Sequence, residues 1–197
     1  MTNYILRILL IIVFYSIAPV LKLQAIEQFT WPTNGYLGWL YNTDTQTSEG
    51  IHNGIDIWSN ADGGWNNDVP GSSNPVYAAY PGQIVYTEDI NWHGFIIKHN
   101  DNLYTNYWHV KDWNVGLWNN VDENSLMGYQ DYAAAVHLHF TVSATSSGSG
   151  NIDPSPYLDM QLNVENSDPV AWGTYVSHSS CGGNTISLQG NYNDYTC

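Results

Sequence analysis

Apolar residues beyond position 26 occur in short runs that alternate with polar residues and end at turn-forming residues. No long segment repeats apolar residues at the period of a helix, and Val, Thr, Trp and Tyr are frequent. This pattern is typical of strands in an antiparallel sheet. It predicts an all-β fold, mainly antiparallel, arranged as a compact sandwich or a barrel-like structure. The predicted strands contain the segments Gly54–Trp58, Pro75–Ala79, Gln83–Tyr86, Phe95–His99, Leu103–Trp108 and Val136–Val142.

Turns and loops separate these runs. The segment His99–Leu103 predicts a hairpin turn, and Tyr80-Pro81-Gly82 predicts a tight corner. Residues 60–74 and 143–150 are rich in Gly, Asn and Ser and predict polar loops. Such loops often surround an active site, and plain solvated connectors are equally common.

The first 25 residues differ from the rest of the chain. Arg7 precedes an apolar run from Ile8 to Val20, which is the layout of a secretory signal peptide. The run is short for a membrane span, and an uncleaved N-terminal anchor is the alternative. We expect residues 1–25 to be a signal peptide, residues 26–160 to form one domain, and residues 161–197 to form an extension. The expected location is then secreted, periplasmic or in the cell envelope, with no stable membrane insertion after signal removal.

The chain has two cysteines, Cys181 and Cys197, and both lie in the C-terminal extension. An oxidising compartment would allow them to pair and to hold the C-terminus. Neither is expected to bind a metal.

The charge of the protein excludes one class of partner. The formal net charge is −14 at pH 7. Removal of Arg7 and Lys22 with the signal segment would leave Lys98 and Lys111 as the remaining strong cations. A surface this acidic does not attract nucleic acid, and it is repelled by anionic polymers. Any substrate must therefore be held by local contacts.

Histidine and aspartate are concentrated in two short motifs, His52-Asn53-Gly54-Ile55-Asp56 and His137-Leu138-His139-Phe140. In the second motif, strand alternation places both histidines on one face and directs Leu138 and Phe140 into the core. In the first motif, a straight strand would separate His52 from Asp56 by roughly 13 Å. The Asn53-Gly54 step predicts a turn that brings the two side chains together.

Two imidazoles and one carboxylate form a ligand set that suits Zn²⁺. A site with three protein ligands and an open fourth position is typical of catalytic zinc. Zinc lowers the pKa of a bound water and polarises an amide carbonyl, which is the chemistry that peptide hydrolysis needs. Each motif alone also occurs in proteins that bind no metal, so their occurrence together and in strand context carries the prediction.

Three motifs in order carry a family resemblance: His52-x-Gly54-x-Asp56-Ile57, Tyr107-x-His109-Val110 and His137-Leu138-His139-Phe140. The segments Pro75–Val85, Gly94–His99 and Asp153–Leu158 add to it. Together they resemble the lysostaphin-type zinc endopeptidases, which are LytM-domain peptidoglycan hydrolases, over about residues 31–158. The resemblance implies an antiparallel β fold with a zinc-holding groove. It also implies a zinc metalloendopeptidase that hydrolyses peptide bonds in the stem peptides or cross-bridges of peptidoglycan.

The resemblance also implies a role for each site residue. His52, Asp56 and His139 match the metal ligands, and His109 and His137 match the two catalytic histidines that do not bind the metal. An imidazole beside the metal can accept a proton or stabilise an oxyanion, and the sequence leaves open which histidine does which. Of the remaining histidines, His99 is expected to be structural or to support the site. His93 and His178 are expected to lie on the surface.

The sequence departs from the family pattern in three places. The arginine that usually precedes the first motif is missing. The segment Gly128–Val136 replaces a Gly-Thr-Gly type of loop, so we expect a different groove wall there. Residues 161–197 have no recognised counterpart. The groove is expected to be lined by aromatic rings, with candidates among Trp58, Trp65, Trp92, Trp108 and Trp113.

Two other functions remain open at the level of sequence. The first is a catalytically inactive LytM-fold protein that binds or activates a cell-wall hydrolase, because a fold does not guarantee an activity. The second is a secreted carbohydrate-binding β-sandwich, which the 9 Trp and 15 Tyr residues suggest. The second alternative leaves the ordered His and Asp motifs unexplained.

Overall fold

The computed structural model describes residues 27–45, 50–59, 74–133, 135–158, 160–161, 175–176, 178 and 186–187. The predicted signal peptide lies outside the described residues, as do Trp65, Cys181, Cys197 and most of the C-terminal extension. The described part of the chain contains strands and turns but no helix. Accordingly, it contains no helix with the length and apolar character needed to cross a membrane.

Fourteen strands are present in the described residues. Their bounds are β1 Gly35–Leu37, β2 Ile55–Trp58, β3 Pro75–Tyr77, β4 Gly82–Glu88, β5 Gly94–Asn100, β6 Leu103–Trp108, β7 Val110–Lys111, β8 Asn120–Val121, β9 Leu126–Ala133, β10 Ala135–Ser143, β11 Asn151–Ile152, β12 Met160–Gln161, β13 Tyr175–Val176 and β14 Ile186–Ser187. The prediction of an all-β fold is confirmed, and each of the six predicted runs contributes to a strand.

The main sheet has twelve strands, and its continuous part has the order β13-β1-β2-β10-β6-β5-β4-β8. Strand β9 pairs with β10 at one end and then with β3 and β7, so the sheet folds over without closing into a barrel. All pairs in this sheet are antiparallel, and β12 with β14 forms a separate parallel pair. The central position belongs to β10, which lies between β2 and β6.

Strand β10 separates the core from the candidate site. Its residues Leu138, Phe140 and Val142 are fully buried in the hydrophobic core, together with residues of β2, β5 and β6. The alternate residues on the same strand include His137 and His139, as the predicted period of two requires. The strand register places His139 opposite Asp56 on β2. Burial of one face of β10 therefore fixes which residues face the site on the other.

A hydrogen-bonded network around His99 connects three segments of the core. The Nδ1 atom of His99 lies 2.7 Å from the carbonyl oxygen of Pro81, and Nε2 lies 2.8 Å from the Thr105 hydroxyl. Thr105 in turn lies 3.2 Å from the Tyr107 hydroxyl, which accepts a bond from the backbone N–H of Ala79 at 2.9 Å. These bonds give His99 the structural role that the sequence suggests.

A short part of the C-terminal extension returns to the main sheet. Strand β13 pairs with β1, with Gly35 opposite Val176 and Tyr36 opposite Tyr175. The backbone N–H of His178 donates to the side chain of Asn34 at 2.7 Å. The His178 ring stacks on the Tyr77 ring with a centroid separation of 3.8 Å. The expectation that His178 is a simple surface residue does not hold, because tertiary packing covers its ring.

Candidate metal centre

The first motif bends where the sequence predicts a turn. A bend at Gly54 separates His52 from β2, which begins at Ile55. His52 is held by backbone bonds to the preceding loop, with its N–H donating to Thr43 and its carbonyl accepting from Asn42, both at 2.8 Å. A Cβ on Gly54 would lie 2.6 Å from the carbonyl oxygen of Phe140, which explains why glycine occupies this position.

The three predicted metal ligands come together at one point. One donor atom from each of His52, Asp56 and His139 can be chosen so that all lie within 4.8 Å of one another. The Oδ1 atom of Asp56 is 3.2 Å from His52 Nε2 and 2.9 Å from His139 Nδ1. The two imidazole nitrogens are themselves 3.0 Å apart. The cluster therefore has the size of a metal-coordination site.

In each of the two candidate histidine ligands, the ring nitrogen that points away from the cluster, here called the outer nitrogen, faces a carbonyl oxygen. His52 Nδ1 lies 3.3 Å from the backbone oxygen of Leu40, and His139 Nε2 lies 3.0 Å from Oδ1 of Asn53. A proton on each outer nitrogen satisfies these contacts and leaves lone pairs on the inner nitrogens. Two lone pairs and a carboxylate then converge, which is unfavourable unless a cation lies between them. This arrangement of ligands and supporting contacts fits a metal such as zinc.

Asp56 is a buried carboxylate surrounded by imidazole rings. Its side chain is 2% exposed, and Oδ1 lies within 4 Å of a ring nitrogen of His52, His137 and His139. Burial alone would raise the pKa of Asp56, but the neighbouring imidazoles outweigh burial and hold that pKa well below its usual range. The group is therefore ionised, and a bound cation would compensate a charge that is otherwise costly to bury.

His137 lies beside the ligand cluster in a fixed orientation. Its Nδ1 is 3.0 Å from the backbone oxygen of Ala135, so this nitrogen carries the proton. Its Nε2 lies 3.8 Å from Oδ1 of Asp56 and presents a lone pair to the site. Burial lowers the pKa of His137 below its usual value, although the nearby Asp56 opposes this shift. His137 is therefore neutral near pH 7 and able to accept a proton.

His109 completes the set of predicted site residues. Its ring centroid lies 4.6 Å from that of His137 and 6.3 Å from that of His139. Burial, followed by the effect of the two neighbouring imidazoles, lowers the pKa of His109 to about 3. The structure thus brings all five predicted residues into one site, with three in the ligand cluster and His109 and His137 beside it.

The backbone of His109 has an uncommon conformation, with φ at 62°. Two hydrogen bonds hold it: its N–H donates to Trp92 O at 2.9 Å, and its carbonyl accepts from the N–H of Asp131 at 2.7 Å. A side-chain pair joins the same two segments, because His93 Nδ1 lies 3.0 Å from Oδ2 of Asp131. His93, expected on the surface, is 42% exposed but has this structural partner.

The candidate groove tryptophans differ in their positions. Trp58 is 2% exposed and stacks on the His137 ring with centroids 4.7 Å apart, so it supports the site from within the protein. Trp113 is half-buried and its ring packs edge-on against Phe95. Trp108 is half-buried, and Trp92 is 60% exposed with its ring 5.9 Å from that of His109. Of these four, only Trp92 offers a largely exposed ring at the site.

Two residues near the site were not predicted to be site residues from the sequence. Asn53 holds the outer nitrogen of His139, and Trp39 packs edge-on against His52 with centroids 6.0 Å apart. Asn53 lies inside the first motif, so its polar amide between His52 and Gly54 was a usable signal. Trp39 had no such signal, because its contact depends on how the loop before β2 folds back.

Comparison with known proteins shows similarity in fold. No family model and no curated protein sequence matches this chain. A chain in the structure of the SpoIIQ-SpoIIIAH pore forming complex is 19% identical with a TM-score of 0.53, and the match covers 68% of this chain and 92% of that one. A second structure of the SpoIIIAH and SpoIIQ complex is 17% identical with a TM-score of 0.51, covering 66% of this chain and 100% of that one.

The catalytic domain of the antimicrobial peptidase lysostaphin from Staphylococcus simulans is also similar. It is 24% identical with a TM-score of 0.49, and the match covers 64% of this chain and 91% of that one. A solved structure with this fold thus belongs to a pore forming complex. The similarities show that the chain has the LytM-type fold.

Proposed function

We propose that this protein is a zinc metalloendopeptidase that hydrolyses peptide bonds in peptidoglycan. One observation carries the proposal: donor atoms of His52, Asp56 and His139 converge within 4.8 Å, with two further histidines beside them. A structural zinc site is normally closed by four protein ligands, whereas three ligands leave a position for catalysis. The zinc would supply Lewis acidity, which lowers the pKa of water and polarises a carbonyl group.

The residues of the chain have separate tasks in this proposal. His52, Asp56 and His139 would hold the metal, and Leu40 and Asn53 would orient the two imidazoles through their outer nitrogens. His137 would accept a proton at Nε2, because Nδ1 is occupied by its bond to the Ala135 carbonyl. His109 lies next to His137 and would hydrogen-bond the developing oxyanion or share the proton transfer.

The proposed substrate and location rest on features of the sequence. The three ordered motifs resemble those of peptidoglycan hydrolases, so stem peptides or cross-bridges are the proposed substrates. The signal-like segment at residues 1–25 supports action outside the cytoplasm, in the cell envelope or as a secreted enzyme. The acidic composition opposes nucleic acid as a partner.

A second function has one observation in its favour. The fold is shared with a chain of the SpoIIQ-SpoIIIAH pore forming complex, so a LytM-type fold can belong to an assembly protein. A binding or activating protein without hydrolytic activity is therefore the alternative. A carbohydrate-binding sandwich is less well supported, because such a module has no need for the five site residues.

Zinc analysis combined with hydrolysis separates these functions. Protein purified after export would be assayed for metal by mass spectrometry and incubated with purified peptidoglycan, and new amino termini would be identified in the products. We expect one zinc per chain and cleavage of peptide bonds, with both lost in Asp56→Ala. Bound zinc without new amino termini would favour the binding protein, and absence of zinc and of cleavage would refute the enzyme.

A further inference from the structure

Trp92 lies on a short connection between β4 and β5, which we call the Glu88 loop (residues 88–93). The Glu88 carboxylate accepts three backbone N–H bonds within it. Oε1 accepts from Ile90 at 3.0 Å and from Asn91 at 2.7 Å, and Oε2 accepts from Trp92 at 2.8 Å. These bonds lower the pKa of Glu88, because they favour its ionised form. The backbone before Trp92 is therefore ordered by a charged group.

The other end of the loop is attached to the site itself. The carbonyl of Trp92 accepts the N–H of His109 at 2.9 Å, and the carbonyl of His93 accepts the N–H of Val110 at 2.8 Å. Trp92 thus has a fixed backbone on both sides. Its position relative to His109 is set by one direct backbone hydrogen bond between the two residues and by the adjacent bond between His93 and Val110.

The indole ring of Trp92 is exposed although its backbone is fixed. The residue is 60% exposed, and its ring lies 5.9 Å from His109 at an interplanar angle of 45°. A large aromatic ring usually gains its stabilisation from burial, as Trp58 does at 2% exposure. Packing within the described residues therefore leaves most of the Trp92 ring available for contact with a ligand.

The position of Trp92 relative to the ligand cluster limits which part of a substrate can reach the ring. The Trp92 ring centroid lies 5.9 Å from that of His109, which lies 6.3 Å from that of the candidate ligand His139. The indole is therefore at most about 12 Å from the His139 ring, a length that an extended peptide spans in roughly four residues. The His109 ring also lies beside the His137 ring, with 4.6 Å between the centroids. A substrate whose scissile bond lies at the cluster could therefore contact the indole with a residue a few positions away along the same peptide.

We propose that Trp92 is a substrate-binding residue whose ring packs against the peptide within roughly four residues of the scissile bond. This inference rests on the proposed function, because it takes the peptide of peptidoglycan as the ligand. The contact is made by the apolar face of the indole with aliphatic or small side chains and with the peptide plane. Trp92 therefore contributes to binding, whereas His109 and His137 contribute to chemistry.

The chain offers a matched control in Trp118. This residue is 63% exposed, lies in the turn before β8, and has a fixed backbone through the bond from its N–H to Ile84 O at 2.8 Å. Substitution of either tryptophan by alanine removes an exposed ring and leaves the core intact. We expect both variants to retain the unfolding midpoint and the zinc content of the wild-type protein.

The test compares Trp92→Ala, Trp92→Phe and Trp118→Ala on muropeptides released from purified peptidoglycan by a muramidase. We expect Trp92→Ala to raise KM by about tenfold with kcat changed less than about threefold, which marks loss of uniform binding. Trp92→Phe keeps an aromatic face and should raise KM by less than about threefold. Trp118→Ala should match the wild-type protein.

Binding without turnover provides the second measurement. In a His137→Ala background, calorimetric titration with the same muropeptides should show about a tenfold weaker Kd when Trp92 is also replaced by alanine. Equal Kd and KM values for the Trp92→Ala and Trp118→Ala proteins would overturn the role of Trp92, even if the wild-type enzyme hydrolyses peptidoglycan. A wild-type protein that binds muropeptides through Trp92 without cleaving them would refute the proposed activity alone. A protein that neither cleaves nor binds would overturn both.

Discussion

His93 and Asp131 form a side-chain pair, with Nδ1 and Oδ2 3.0 Å apart, between the two segments that hold the backbone of His109. His109 has a left-handed backbone conformation, which costs free energy in a residue other than glycine. The surrounding hydrogen bonds must therefore maintain it. If the proposed activity holds, His93 and Asp131 are positioning residues, which would act on catalysis through the placement of His109.

Loss of the His93–Asp131 pair should lower turnover while leaving zinc in place. We expect His93→Ala to reduce kcat by about tenfold, because a displaced His109 loses alignment with the reacting groups. Zinc content and KM should change little, which separates this effect from unfolding. The control is Asp101→Ala, which removes the exposed ion pair of Asp101 with Lys98 at 2.8 Å. Equal kcat in both variants would rule out a positioning role.

The contact between Asn53 and His139 should determine zinc affinity. Asn53→Ala removes the acceptor for the outer nitrogen of His139, and loss of such a supporting contact typically weakens metal binding by about ten- to a hundredfold. Competition with a chromophoric chelator would measure the dissociation constant. Asn100→Ala serves as the control, since Asn100 accepts a bond within the β5–β6 hairpin turn. An unchanged constant in Asn53→Ala would show that the contact does not orient His139.

Replacement of His109 or His137 should separate metal binding from catalysis. Both rings lie beside the ligand cluster, so we expect either alanine variant to retain zinc and to lose turnover by roughly a hundredfold or more. The measurements are metal content and the initial rate of new amino-terminus formation. If either variant loses its zinc, that histidine is a ligand and the assignment of roles within the site is wrong.

Stability should decrease in mild acid, in part because of His99. Burial lowers the pKa of His99 below its usual value of about 6.5. The unfolded chain therefore binds more protons than the folded chain as pH falls below about 6.5, and stability falls with it. The neutral ring also fits the network, where one nitrogen faces Pro81 O and the other faces the Thr105 hydroxyl.

His99→Gln tests this contribution. The variant should be less stable at pH of about 7.5, by about 1 kcal/mol for lost hydrogen bonding, and should lose less stability than wild type between pH of about 7.5 and 5.5. Urea unfolding in the presence of a chelator removes any contribution from metal binding. Parallel stability profiles for the two proteins would show that His99 does not contribute to the acid sensitivity.

Local patterns predicted much of the sheet and the site. The period of two in His137-Leu138-His139-Phe140 was sufficient to place the imidazoles opposite the core, because one face of β10 is fully buried. The glycine next to Asn53 indicated the bend that brings His52 to Asp56. These signals work at short range, where the chain itself limits the possible geometries.

Long-range packing was not readable from the sequence. Trp58 and Trp92 are chemically identical, yet one is 2% exposed and the other 60%. Their difference depends on which neighbours the sheet register and the Glu88 loop supply. Similarly, His93 contacts Asp131, which lies on a strand 38 residues later in the chain. Contacts of this kind arise from the tertiary fold, and no local pattern in the sequence contains them.

The pairing of β13 with β1 has a consequence for self-association. Unpaired edges of sheets are templates for the addition of strands from other molecules, and proteins commonly cover them. Gly35 and Tyr36 are covered by Val176 and Tyr175. A chain ending at residue 174 would expose that edge, and sedimentation should then detect more self-association than in the 197-residue chain. The C-terminal segment would in this way limit the addition of further strands at β1.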